Sequence, residues 1–191
     1  MANSNAPSGL RPVRLRSGAP YNGAARRYYV ASSDGTALYI GDPVIFSGTA
    51  DADGVAGVVR ATAAGGAYVL GSVVAVEADT RDSLTYRAAS TSRYVYVCDD
   101  PEMLFEIQED AVGGALAVTD VGLNADLIIG SGSTTTGLSG AQLDTSTKAT
   151  TATLQLKILG FSQRIDNEVG VANAKVLVSI NLHALRNTTG V

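Results

Sequence analysis

The sequence predicts an all-β protein, built as an antiparallel sandwich or barrel. Glycine is abundant, with 21 among 191 residues, and Ala, Ser, Thr and Val are plentiful, which suits short strands joined by tight turns. Apolar and polar residues alternate in runs such as SRYVYVCD (92–99) and MLFEIQE (103–109). Helical periodicity is poor throughout the chain. Periodicity alone does not choose between a sandwich and a barrel.

The strand-like runs follow one another along the chain, and turn signals rich in Gly, Asp, Pro and Ser separate them. The predicted strands are RRYYVAS (26–32), ALYIG (37–41), VIFSG (44–48), GVVRAT (57–62), AYVLGSVVAVEA (67–78), SRYVYVCD (92–99), MLFEIQE (103–109), LIIG (127–130), TATLQLKILGFSQ (151–163) and AKVLVSINLHAL (174–185). Between the last two, RIDNEVGVAN (164–173) predicts a long hairpin loop. A short helical turn is expected within 111–126, and a short strand around 141–143.

Residues 1–25 are predicted to form an extended arm, and residues 26–191 a single β-sandwich domain. Three of the five prolines, Pro7, Pro12 and Pro20, lie in the arm, where they disfavour a helix. Within it, RPVRLR (11–16) alternates with the period of a strand that could join a sheet edge.

Charge divides the chain sharply into a basic leader and an acidic body. Residues 1–27 carry +5, with five arginines and no acid, whereas residues 28–191 carry −9, which gives the net charge of −4. The body alone would repel nucleic acid and anionic membranes, so neither is expected as a partner. The leader could attract an acidic protein surface, or the acidic body of another copy.

Synthesis in a reducing compartment is the simplest interpretation of the cysteine content. Cys98 is the single cysteine, so it cannot form an internal disulfide. The start MANSNAPSGL lacks the pattern of a signal peptide, and no apolar run approaches the roughly 20 residues that span a bilayer.

The residues that could react or bind a metal are each expected to have a structural role. His183 is expected to be a surface or edge residue, because one histidine is too few for zinc. Cys98 is expected to be a buried, inert apolar residue. DADG (51–54) is interpreted as a turn, since most of an EF-hand loop is missing, and Asp99-Asp100-Pro101 as a turn that ends a strand.

The least implausible enzyme is an aspartic hydrolase, on the strength of LDTST (143–147). Such enzymes need two matching turns, or a homodimer, with a strongly apolar lead-in, and only Leu143 precedes Asp144 here. We therefore expect no enzyme, no cofactor and no metal site, and a structural or interaction role instead.

Six long segments resemble the capsid cement, or head decoration, proteins of tailed bacteriophages. They cover most of the chain: NAPSGLRPVR (5–14), GAPYNGAARRYYVASSDGTALYIGDPV (18–44), YRAASTSRYVYVCDDP (86–101), FEIQED (105–110), VGLNADLIIGSGSTTTGLSG (121–140) and ATLQLKILGFSQRIDNEVGVANAKVLVSINLH (152–183). Members of this family are usually encoded beside the major capsid protein.

The resemblance implies an antiparallel jelly-roll-like β-sandwich on the outside of a shell built from a major capsid protein of the HK97-type fold. It implies a homo-oligomer, with a dimer favoured over a trimer, that bridges neighbouring capsomers. The protein would be made in the host cytoplasm and reside in the virion, on the capsid surface. A β-rich tail, neck or host-adhesion protein is the alternative.

The arm supplies the predicted contacts to the shell or to a sister subunit. Arginine pairs bidentately with carboxylates, so the basic candidates are Arg11, Arg14, Arg16, Arg26 and Arg27. Apolar anchorage is expected from Val13, Leu15 and Tyr21. Deleting residues 1–20 is then expected to weaken capsid binding while the body stays folded.

Overall fold

The computed structural model describes residues 3–63, 65–187 and 190, and within these residues it contains strands and short 3-10 helices but no α-helix. The strands are β1 (Arg11–Leu15), β2 (Arg26–Val30), β3 (Pro43–Ala50), β4 (Ala56–Arg60), β5 (Gly71–Val76), β6 (Arg93–Cys98), β7 (Met103–Gln108), β8 (Asn124–Ala125), β9 (Leu127–Ile128), β10 (Gln142–Leu143), β11 (Leu156–Phe161) and β12 (Lys175–Ile180). The 3-10 helices are Val118–Asp120, Thr145–Thr147 and Ala184–Arg186. The predicted all-β class is confirmed.

Five strands form an open antiparallel sheet in the order β1–β7–β12–β11–β8. One face of this sheet covers the larger of two hydrophobic cores, in which Phe105 and Ile107 of β7 are buried beside Val176 and Val178 of β12. The apolar residues therefore recur at every second position, as a sheet with one face on a core requires. The strand β1 lies at the edge of this sheet.

Five other strands close into a small barrel in the order β2–β4–β3–β5–β6. Its neighbours are antiparallel except for β2 and β4, which are parallel. The barrel encloses the second core: Tyr28, Val30, Leu38, Val44, Val58, Leu70, Val73, Val95 and Val97. The observed architecture is thus a sheet beside a closed barrel, with β9 and β10 as a separate two-stranded ribbon. The finer jelly-roll arrangement stays a prediction.

The segment ALYIG (37–41) is not a strand, and its prediction is wrong. It contributes only isolated bridges, from Leu38 and Ile40. The reason is a turn, in which the Tyr39 amide donates to the Asp42 carboxylate at 2.8 Å and the Asp42 amide donates to the Tyr39 carbonyl at 3.0 Å. Gly41 completes this turn at φ +93°, a conformation that favours glycine.

The predicted hairpin loop between residues 164 and 173 is confirmed, since β11 and β12 are antiparallel neighbours on either side of it. Asn167 closes the loop at its base. Its side-chain amide donates to the carbonyls of Ser162 and Lys175, each at 2.8 Å, and its oxygen accepts from the Lys175 amide at 2.7 Å.

The N-terminal segment lies along the body of its own chain. Asn3 hydrogen-bonds with Glu168 and Val171 in the hairpin loop, and Leu10 is completely buried in the larger core. The Leu10 amide donates to the Gly41 carbonyl at 2.9 Å. The extended strand predicted in RPVRLR is confirmed as β1, and its partner is β7 of the same chain. The division of the chain at residue 25 stays a prediction.

Arg87 joins two loops of the barrel from a fully buried position. Its Nε donates to the Thr91 carbonyl at 2.7 Å, and its Nη1 to the Thr36 carbonyl at 2.6 Å. Its Nη2 donates to the carbonyls of Ala31 and Asp34 at 2.7 and 2.8 Å, and the Asp34 carboxylate lies 3.4 Å from Nη1. The guanidinium thus donates to four backbone carbonyls in partly buried contacts and ties the two loops together. Nothing in the sequence marks this role.

His183 is buried, with 1% of its surface exposed, and the prediction of a surface or edge residue is wrong. Residue 183 bridges Val69 beside the core, which removes the imidazole from solvent. Its Nδ1 accepts a hydrogen bond from the Leu185 amide at 3.2 Å, which requires a neutral ring. Burial lowers the pKa of His183 to about 4.

Stability should therefore fall as the pH falls from about 6.5 to about 4. In this window His183 is protonated in the unfolded chain but still neutral in the fold, so the unfolded state binds more protons. Relative to a His183→Asn variant, the wild type should lose about 2–3 kcal/mol of unfolding free energy across the window. Urea denaturation at several pH values measures this difference. A difference that stays constant down to pH 4 would contradict the prediction.

Candidate protein-binding surface

Strand β1 presents two arginines, Arg11 and Arg14, on one face of the sheet, although they are three residues apart. Arg11 lies opposite Glu106 and Arg14 opposite Leu104, with a bulge between Pro12 and Arg14. Because residues two apart on β7 share a face, and opposed residues point the same way, the bulge brings both arginines to that face.

Both arginines are exposed, and within the described residues their guanidinium groups make neither an ion pair nor a hydrogen bond. They are held by an ordered strand whose backbone pairs with β7. Part of their conformational freedom is thus already lost, so pairing them with an external carboxylate requires less further ordering.

The other candidate arginines pair with carboxylates of their own chain. Arg16 lies 3.5 Å from Glu102, and Arg26 lies 3.5 Å from Asp99. These two contacts are partly or largely exposed, so each contributes little to stability. Their predicted role toward a partner stays a prediction.

Arg27 is the most fully engaged of the set. It donates to both carboxylate oxygens of Glu77, at 2.9 and 3.0 Å, and its guanidinium carbon lies 3.4 Å from the centroid of the Tyr94 ring. Hydrogen bonding from Arg27 is the main reason why the pKa of Glu77 is lowered. An external partner would have to replace an ion pair and a cation–π contact to bind Arg27.

Of the three apolar candidates, Leu15 and Tyr21 line two grooves that meet at Tyr21, and Val13 lines neither of them. Leu15 and Tyr21 are half-buried and pack against the larger core, whereas Val13 is exposed. The first groove, the basic groove, has a volume of about 410 Å³, and Arg11 is the one charged side chain among its described lining residues. Its other lining is mainly apolar: Leu10, Pro12, Ile40, Val73, Val74 and Leu138.

The second groove, the acidic groove, has a volume of about 580 Å³ and lies on the other side of Tyr21. Asp99 and Asp100 line it together with Arg26 and apolar side chains such as Met103. The Asp99 carboxylate accepts a hydrogen bond from the buried Tyr28 hydroxyl at 2.6 Å. Two grooves of opposite charge thus lie side by side, a surface suited to a partner that carries both signs of charge.

The groups considered for catalysis have structural roles. Asp144 caps the 3-10 helix at 145–147 by accepting from the Ser146 amide at 2.8 Å. Cys98 is buried, as predicted, and burial raises the pKa of its thiol to about 12, so little thiolate forms at neutral pH. The predicted turns at 51–54 and 99–101 are confirmed, and Asp51 accepts from the amides of Asp53 and Val55.

Within the described residues, no three His, Cys, Asp or Glu side chains come together in a way that could hold a metal ion. No helix in this part of the chain is long and apolar enough to cross a membrane.

Comparison with protein families, with curated proteins and with solved structures finds no match to this chain. The assignment of this surface therefore rests on the geometry of the chain alone. Sequence reasoning identified the basic leader, but it did not distinguish the two unpaired arginines from the three that are paired. It also missed both grooves, because segments distant in the chain form them.

Proposed function

We propose that this protein is a capsid cement, or head decoration, protein of a tailed bacteriophage. In this proposal the protein is a jelly-roll-like β-sandwich. It binds the outer surface of a shell made from an HK97-type major capsid protein. It acts without chemistry, by stabilising contacts between neighbouring capsomers. It is made in the host cytoplasm and ends on the capsid surface of the virion.

The observation that carries the proposal is the pair Arg11 and Arg14 on the face of strand β1. The chain beyond residue 27 has a charge of −9, yet neither guanidinium group forms an ion pair within the described residues, although Glu106 lies opposite Arg11 on β7. Planar guanidinium groups bind carboxylates bidentately, and the neighbouring basic groove can take an apolar side chain. An acidic protein surface with an apolar projection fits both features.

A nucleic-acid partner fits this surface less well than a protein does. A DNA backbone is uniformly negative, and Asp99 and Asp100 in the adjacent acidic groove would repel it. A protein partner can place a carboxylate near Arg11 and a cation near Asp100. The two neighbouring grooves of opposite charge also support a homo-oligomer, with a dimer favoured. In it, Arg11 and Arg14 of one copy approach the acidic groove of another copy.

Weak contacts are sufficient for such a role. A shell displays many identical sites, so an oligomer that engages two of them at once binds far more tightly than one subunit.

Co-sedimentation with empty heads tests the function directly. The heads are assembled from the major capsid protein that the resemblance places beside this gene, and the copy ratio is measured by gel densitometry. The wild-type protein should sediment with the heads at a fixed ratio to the capsid protein. Failure to bind these heads would contradict the proposal, and immunogold label confined to the tail of virions would favour the tail or neck alternative.

The double variant Arg11→Gln, Arg14→Gln should bind roughly tenfold more weakly, as expected for losing about 1.4 kcal/mol of charge pairing. Arg81→Gln is the matched control, because Arg81 is exposed and lies outside both grooves. Unchanged binding of the double variant, with heads still decorated, would contradict the assignment of the surface to these two arginines.

A further inference from the structure

A further cavity lies at the barrel and shares no lining residue with either groove. Its volume is about 340 Å³. The turn after β2, the end of β4 and the segment after β9 converge on it. The lining includes Gly35, Thr36, Tyr39, Arg60, Ser131 and Gly132.

Every polar side chain of this lining carries a donor, and none carries a negative charge. Arg60 is half-buried, and within the described residues its guanidinium forms no ion pair or hydrogen bond. The hydroxyls of Thr36, Tyr39 and Ser131 likewise have no partner among these residues. Gly35 and Ser131 are exposed, so the cavity opens to solvent and its unpaired donors are accessible to a dissolved ligand.

The buried carboxylate of Asp42 interacts electrostatically with Arg60, but its hydrogen bonds go to other groups. Asp42 accepts from the Ser139 hydroxyl at 2.5 Å and from the Tyr39 amide at 2.8 Å. It is fully buried and does not line the cavity, and although the charge of Arg60 partly offsets the rise that burial causes in the pKa of Asp42, no ion pair or hydrogen bond joins the two within the described residues.

The aromatic wall of the cavity is fixed in position. The Tyr39 ring stacks on Tyr86 with centroids 4.8 Å apart and planes 18° from parallel. A Cβ at position 132 would lie 2.3 Å from an atom of the Tyr39 ring, so only glycine fits there. The two glycines, Gly35 and Gly132, leave backbone beside the cavity uncovered by side chains.

We propose that this cavity binds a small oxyanion, a carboxylate or a phosphate group. Arg60 supplies paired N–H donors to two oxygens of the anion, and the hydroxyls of Thr36, Tyr39 and Ser131 donate to it from the cavity wall. The carboxylate could come from an acidic side chain of a partner protein, and the phosphate from free solute.

Titration with inorganic phosphate and, separately, with acetate tests the proposal. Both are added to the full-length protein at constant ionic strength, and binding is followed by the amide NMR signals of Gly35 and Gly132. At least one anion should shift these signals with saturation. Tighter binding of acetate assigns the site to a protein carboxylate, and tighter binding of phosphate assigns it to the free anion.

Arg60→Gln should weaken the binding about tenfold or more, because a charged donor pair is lost. Arg81→Gln, which removes an exposed arginine outside the cavity, should leave it unchanged. Tyr39→Phe keeps the stacked ring and removes one donor, so it should weaken binding by a few-fold. It also serves as the test if Arg60→Gln does not fold.

Two results would overturn the proposal. One is the absence of saturable shifts with both anions. The other is saturable binding that the folded Arg60→Gln and Tyr39→Phe variants retain at wild-type strength.

Discussion

Replacing Arg87 with methionine should lower the free energy of unfolding by about 3–5 kcal/mol. The substitution keeps an unbranched side chain of similar length but removes all five donors of the guanidinium. The carbonyls of Ala31, Asp34, Thr36 and Thr91 then lose a donor at 2.6–2.8 Å, and among the described residues only those of Ala31 and Asp34 keep a backbone amide donor, from Asp34 and Ser90. A buried carbonyl left without a partner retains its full desolvation penalty, and Asp34 becomes an unpaired carboxylate as well.

Urea denaturation followed by circular dichroism measures this loss. Arg81→Met is the matched control, since Arg81 is exposed and should change stability by no more than about 0.5 kcal/mol. Arg87→Lys should fall between the two, because an ammonium keeps the charge but cannot present five donors in a planar fork. Ordinary substitutions change the free energy of unfolding by about 1 kcal/mol. An Arg87→Met variant whose free energy of unfolding lies within about 1 kcal/mol of that of Arg81→Met would therefore contradict the assigned role.

Deleting residues 1–20 should destabilise the body strongly, in contrast to the expectation from sequence that the body stays folded. The deletion removes Leu10 from the larger core and strips β1 from the edge of β7. Even Leu10→Ala alone should lower the free energy of unfolding by about 2–5 kcal/mol, through lost apolar burial and the cavity left behind.

Val13→Ala is the control within the same segment, because Val13 is 40% exposed and its truncation removes little buried surface. Thermal melting of the three variants beside the wild type provides the comparison. If the deleted protein melts at the wild-type temperature, the segment is a detachable arm after all. Otherwise, capsid-binding experiments require point substitutions such as those at Arg11 and Arg14.

The alternating residues of β6 illustrate what the sequence could predict. Val95 and Val97 are buried in the barrel core, whereas Tyr94 and Tyr96 lie on its outer side and are half-buried. Such local period-2 patterns depend on the pleat of one strand, so they can be read without knowing its partners. The hairpin loop at 164–173 and the turns at 51–54 and 99–101 were predictable for the same local reason.

Features that depend on distant pairing could not be predicted. The alternation of apolar and polar residues along a strand does not show which strands are its neighbours. The division of the strands into a sheet and a closed barrel could therefore not be predicted. His183 and Arg87 are buried by segments far away in the chain, and neither residue type usually indicates burial. At the candidate surface, Arg11 and Arg14 share a face because of the bulge in β1, and the sequence RPVRLR does not predict a bulge.

The contact between Asn3 and Glu168 spans 165 residues of sequence, which has a consequence for the order of folding. The ribosome makes Asn3 well before its partner in the hairpin loop, which lies 165 residues further along the chain. At roughly 5–20 residues per second, the delay is on the order of ten to thirty seconds. During this interval Asn3 lacks its partner in the hairpin loop, whereas the partners of Leu10, Arg16, Arg26 and Arg27 lie at positions 41 to 102 and are made earlier. The first few residues are therefore accessible to chaperones and to other nascent copies after the rest of the N-terminal segment can already pair with its own chain.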